Sequence, residues 1–113
     1  MLQKSVMEYK FSRNTAIATQ DVEGAVEFYH SVLGMPVKEY PEGPQIQAGA
    51  VDIFIDNTEF PAPIVLELAV TDLEAARAHL TQNGCEVLRW EGLGKACIVR
   101  DPYGLVFNVW QDP

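Results

Sequence analysis

Apolar and polar residues alternate over eight short runs of the chain and recur at helical spacing over two longer ones, and the order of these runs is written twice. The stretch TAIATQDVEGAVEFYHSVLGMPVKEY, from Thr15, and the stretch LELAVTDLEAARAHLTQNGCEVLRW, from Leu66, share one plan. Each opens with an alternating strand and reaches an aspartate, Asp21 or Asp72, whose side-chain oxygen is placed to cap a helix. In the first helix Val22, Ala25, Val26, Tyr29 and Val32 recur on one face, with Glu23, Glu27 and His30 on the other; in the second, Leu73, Ala76 and Leu80 repeat the pattern. Gly34 and Gly84 follow as left-handed helix ends.

Three strands are expected after each helix: MPVKEY, PQIQAGA and VDIFID in the first half, CEVLRW, KACIVR and LVFNVW in the second. The segment DNTEFPAP breaks the alternation and reads as a connection. The expectation is therefore a single α+β domain over residues 1–113, built of two tandem βαβββ modules at about 11–56 and 63–113 with a linker at about 57–62. In such a unit one sheet face takes the helix and the other is left to line a groove.

Alternation assigns the faces. Val51, Ile53 and Ile55 form one set, so Asp52, Phe54 and Asp56 face the other way. Leu66, Leu68 and Val70 are expected under a helix, which turns Glu67 toward the groove. In the last strand Phe107 and Val109 belong to the core, leaving Val106, Asn108 and Trp110 for the groove. An amide in mid-strand, Asn108, is the odd residue of that set.

Composition narrows the partners more than the fold. At 113 residues the chain can bury roughly two-thirds of its unfolded surface. Sixteen acids against eight bases give a net charge of -8, which disfavours nucleic acid and anionic membrane. The first ten residues are too mixed in polarity for a signal peptide or a spanning helix and read as a short arm. Cys85 and Cys97 lack the spacing of a zinc or redox motif and read as buried or half-buried thiols of a reduced, cytoplasmic protein.

Two motifs carry a resemblance. QDVEGAVEFYHSVLGM is similar to the aspartate-capped helix, and VRDPYGLVFNVWQ to the turn and last strand, of the vicinal oxygen chelate superfamily of glyoxalases, extradiol dioxygenases and bleomycin-resistance proteins. Together they span Phe11 to Pro113. The resemblance implies a U-shaped, curved mixed sheet with helices on its outer face and a cavity inside. It also implies four metal-ligand positions in the metal-dependent members, which here fall on Asn14, Val65, Asn108 and a residue within VDIFID. Valine cannot ligate, and two neutral amides are poor donors for a transition metal. His30 and His79 lie in the helices and read as solvent-exposed.

The expected ligand-binding set is Asn14, Asp52, Phe54, Glu67, Asn108 and Trp110, with no metal, no cofactor and no catalytic residue assigned. Tyr40 and Trp90 read as rim or core packing. Acids and aromatics suit a cationic or aromatic compound, held by sequestration as in the bleomycin-resistance branch, in a homodimer. The alternatives are an enzyme of glyoxalase, epimerase or dioxygenase type with a carboxylate-rich site from Asp52, Glu67 and Asn108, or a metal-free lyase or isomerase with Glu67 as general base. A structural reading stands beside them, in which Glu67 pairs with Arg89, Lys95 or Arg100 and Trp110 and Phe54 only fill space.

Overall fold

The computed structural model describes residues 9–57, 59, 62–92 and 95–112. The amino-terminal arm through Glu8 and part of the central connection, Thr58, Phe60 and Pro61, lie outside the described residues. The fold is mixed α+β: β1 (Lys10–Ala18), α1 (Val22–Glu27) continued by a π-helical turn (Phe28–Val32), β2 (Val37–Tyr40), β3 (Gly43–Gln47) and β4 (Asp52–Asp56), then β5 (Ile64–Val70), α2 (Leu73–Gln82), β6 (Glu86–Trp90), β7 (Cys97–Arg100) and β8 (Val106–Gln111). Every strand and helix expected from the alternation is present.

Contacts gather the residues into two compact units, one of Arg13–Leu66 and one of the described residues through Ser12 together with those from Glu67 onward. β1 and β5 therefore each contribute to both. In the first unit the strands run β2-β3-β4-β1, with β1 parallel to β4 and the remaining pairs antiparallel. In the second they run β5-β8-β7-β6, with β6, β7 and β8 antiparallel.

Both helices start as their sequences dictate. The Asp21 carboxylate accepts from the Gly24 backbone N–H at 2.9 Å, and Asp72 accepts from Ala75 at 3.1 Å. α2 gains a further acceptor from its own unit, where the Gln111 side-chain oxygen on β8 receives the Leu73 N–H at 2.8 Å. Glycine at 24 has a specific reason, because a Cβ there would collide with the Asp21 carboxylate. Gly34 and Gly84 take positive φ, 72° and 96°, after the two helices.

The first helix is less regular than its periodicity suggests. After Glu27 it widens into the π turn, closed by Leu33 N–H to the Phe28 carbonyl at 3.2 Å and by His30 Nδ1 to the Met35 carbonyl at 3.0 Å. It buries no residue fully, whereas α2 buries Leu73 and Ala76. Ile46 and Ile55 form the core of the first unit, and Cys97, Ile98, Val99 and Val109 that of the second. Both histidines are exposed. Among the described residues no helix is long and apolar enough to cross a membrane.

Mid-helix replacement of glycine by alanine ordinarily stabilises by about 1 kcal/mol. Gly24→Ala is expected to lose that gain because it displaces a cap worth about 1 kcal/mol. In an Asp21→Ala background the same substitution should stabilise by about 1 kcal/mol. Urea denaturation of the four proteins in this cycle checks it, and an equal gain in both backgrounds would contradict the steric account.

Candidate functional site

In the first unit, cross-strand register fixes which side chains share a face. β1 and β4 set Asn14 against Asp52, Ala16 against Phe54 and Ala18 against Asp56, while β3 sets Gln45 against Phe54 and Gln47 against Asp52. Lys38 stands opposite Gln45 and Tyr40 opposite Gly43. Directly paired residues point the same way, so Asn14, Lys38, Tyr40, Gln45, Gln47, Asp52, Phe54 and Asp56 lie on one face.

The other face carries Thr15, Ile17, Ile46, Ile53 and Ile55 with Glu39 and Pro44. Glu39 and Pro44 line a cavity of about 430 Å³ with Val22 and Val26 of α1, which marks this as the helix side. A second hollow, about 370 Å³, lies at the end of β1 beside Thr19, Asn57 and Pro63. Neither is lined by any of the six residues expected to bind ligand. Asn14, Asp52 and Phe54 are instead brought together on the helix-free face.

Two of their neighbours change the chemistry expected of them. Arg13 sets its Nε 2.9 Å from Asp52 Oδ2 and donates from its terminal nitrogen to the Gly49 carbonyl at 2.7 Å. The Asp52 side chain is only 16% exposed, so its charge already has a counter-ion in the fold. Tyr40 lies with its ring 6.1 Å from that of Phe54 at a tilt of 47°, although the two strands that carry them are separated by β3. Gly43, the partner of Tyr40 on β3, has no side chain, so the Tyr40 ring can lean diagonally across that strand toward Phe54, whose own partner there is Gln45. Lys38 Nζ sits 5.2 Å from the centre of the Tyr40 ring.

In the second unit Tyr9 stacks on His79 of α2, its hydroxyl 2.7 Å from Nδ1, and Phe11 meets Phe107 edge-on at 5.8 Å. Phe107 has the same parity as Gln111, which reaches α2, so this is the helix side. Ser12, the next residue along β1, turns the other way and donates its hydroxyl to Glu67 Oε1 at 2.9 Å. Asn108 and Trp110 also face away from α2, Asn108 beside its cross-strand partner Ile98. Trp90 is on the helix side, where the Arg77 guanidinium lies 4.7 Å above its ring. Arg100, one of the bases considered for Glu67, pairs with Glu86 at 2.6 Å.

Asn108 has a local task. Its Oδ1 accepts the backbone N–H of Cys97 at 2.9 Å, capping the first residue of β7 from the neighbouring strand. That commits one lone pair of the oxygen to the fold, and what remains is a neutral amide, a poor donor for a transition metal. Val65, at another ligand position implied by the resemblance, is 2% exposed and has no donor, and Asp52 is held by Arg13. Among the described residues no group of three or more His, Cys, Asp and Glu could hold an ion. These residues do not fit a divalent transition metal.

Sequence reasoning passed over two residues of the helix-free face of the first unit. Tyr40 reads as packing because nothing in its own strand reveals that Gly43 opens the way to Phe54. Gln45 has the right parity within PQIQ, but its burial, 7% exposed, depends on neighbours in β2 and β4. Both thiols are free, Cys97 buried and Cys85 partly so. Burial pushes the Cys97 thiol up to about 11 against an opposing pull from Arg77, and burial also raises Cys85, with Asp101 adding to it.

A glyoxalase-like domain model matches residues 14–110. A glyoxalase/bleomycin resistance protein/dioxygenase superfamily member from Vibrio splendidus 12B01 is similar in structure, with a TM-score of 0.63 at 20% identity, covering 96% of this chain and 100% of that one. A hypothetical protein from Bacillus halodurans C-125 gives 0.62 at 15% identity over 93% and 95% of the two chains. Methylmalonyl-CoA epimerase from Mycobacterium tuberculosis gives 0.58 at 20% over 100% and 94%. At these identities the likeness is one of fold. Comparison with curated protein sequences finds no match.

Asn108→Leu, which leaves the Cys97 N–H without its acceptor, is expected to cost about 1–3 kcal/mol, and Asn108→Asp, which keeps an acceptor, distinctly less. Denaturant melts and exchange of the Cys97 amide check this. The raised Cys97 thiol favours the neutral form in the fold, so its contribution is complete below about pH 9. It should be lost as pH rises toward about 11. The urea midpoint of the wild type should therefore fall more steeply over that range than that of Cys97→Val.

Proposed function

The chain belongs to the glyoxalase-like domain family, and we propose that within it the protein is a metal-independent binder that sequesters a planar aromatic small molecule. The observation that carries the reading is the Tyr40–Phe54 ring pair on the helix-free face, in one field with Asn14, Asp52 and the buried Gln45. Aromatic surface at the margin of a sheet face, with a few fixed polar groups beside it, is the composition of small-molecule sites.

Of the two ligand characters suggested by composition, aromatic is favoured over cationic. Asp52 already holds Arg13, and Lys38 stands over Tyr40, so an entering cation would displace one charge and meet another. A neutral flat ring meets neither cost. Trp110, 40% exposed, and Glu67 with Ser12 are secondary candidates in their own unit. The reading includes a homodimer in a reducing compartment, supported by two free thiols and by the exposed Phe28, Val32 and Leu33.

Calorimetric titration of a panel of planar aromatic compounds, neutral and cationic, into EDTA-treated protein tests the proposal. Micromolar binding is expected for neutral members, with Phe54→Ala weakening it by about 1–2 kcal/mol, or roughly five- to thirtyfold. Affinity that appears only with added divalent metal would overturn the proposal, as would indifference to Phe54→Ala. Conversion of the compound, abolished by Glu67→Gln, would establish the enzymatic alternative.

A further inference from the structure

Gln45 is a buried polar residue at the centre of β3, between Pro44 and Ile46, and no hydrogen bond joins its amide to another described residue. A strand centre favours β-branched or aromatic residues, and the Gln45 amide, although the residue is only 7% exposed, is not sealed from solvent, so a ligand covering it must replace the water it meets. The register aims this amide at the helix-free face, directly opposite Phe54 on one side and Lys38 on the other, with the Tyr40–Phe54 pair beside it. We infer that Gln45 is the specificity residue of this face and that it selects a planar ligand with an amide edge, the adjacent N–H and C=O of a lactam, imide or cyclic urea.

The chemistry follows from the side chain. A glutamine amide offers a carbonyl acceptor and an NH2 donor side by side in one plane. A cis-amide edge offers the complementary N–H donor and C=O acceptor at the same spacing, so two parallel hydrogen bonds satisfy both partners at once. Gln45 would accept the ligand N–H on Oε1 and donate from Nε2 to the ligand carbonyl. The neighbouring Phe54 and Tyr40 rings favour a ligand that is flat around that edge. Discrimination of this kind is strong because a ligand lacking the edge would cover the amide and strip its water without supplying partners. The inference rests on the helix-free face being the binding face, as proposed above.

Three small probes separate the inference from that reading: isoquinolin-1(2H)-one, which carries the lactam edge; its N-methyl derivative, which loses the donor; and isoquinoline, which has the same ring system without the amide. Titrated into EDTA-treated protein, the lactam is expected to bind at least about tenfold more tightly than the other two. In Gln45→Leu that preference should vanish while binding of the ring system remains. Equal affinity for the three probes in the wild type overturns the inference while leaving aromatic binding intact. So does a preference for the lactam that persists in Gln45→Leu. Binding of none of the three overturns both.

Discussion

The parallel pairing of β1 on β4 sets Asn14 against Asp52 and Ala16 against Phe54, and from that register follows everything the first unit presents. Side chains alternate along a strand, so a slip of one residue would send Ile53 and Ile55 to the helix-free face and draw Asp52 and Phe54 under α1. The register is held from both ends. Arg13 clamps Asp52 and the Gly49 carbonyl at the start, and the Thr19 N–H meets the Asp56 carbonyl at 2.9 Å at the finish. Between them Ile55 is 2% exposed, and its burial makes the alternative register expensive.

With the register fixed, the helix-free face is polar in composition yet nearly balanced in charge. Asp52 is met by Arg13, and Lys38 lies in the same field as Asp56. What remains to discriminate a ligand is shape and hydrogen bonding: a tilted ring pair over Gly43 and the amide of Gln45. The net charge of -8 belongs mainly to other surfaces, with Glu23, Glu27, Glu39, Glu42, Glu74 and Glu86 all exposed. Bulk acidity therefore says more about solubility than about what is bound.

Much of this was legible in the chain itself. Asp21 and Asp72 announce the helices, Gly34 and Gly84 end them, and strict alternation in VDIFID and LVFNVW sorts the faces correctly within each unit. What stayed hidden depends on neighbours distant in sequence. The Arg13–Asp52 pair spans two strands, the burial of Gln45 arises between β2 and β4, and the π turn after Glu27 leaves no mark in a helical pattern. Asn108 was legible as an anomaly but not in its role. Its amide both stands where a metal ligand would be implied and caps β7, so the residue that argues against a metal also has a structural reason to be there.

The most direct measurement of the central claim is backbone chemical-shift mapping of the EDTA-treated protein during titration with a neutral planar aromatic compound. The account predicts saturable shifts concentrated at residues 38–47 and 52–56, with the amides of Val22–Glu27 unmoved. Shifts centred on α1, or shifts that appear only after a divalent metal is added, would contradict it.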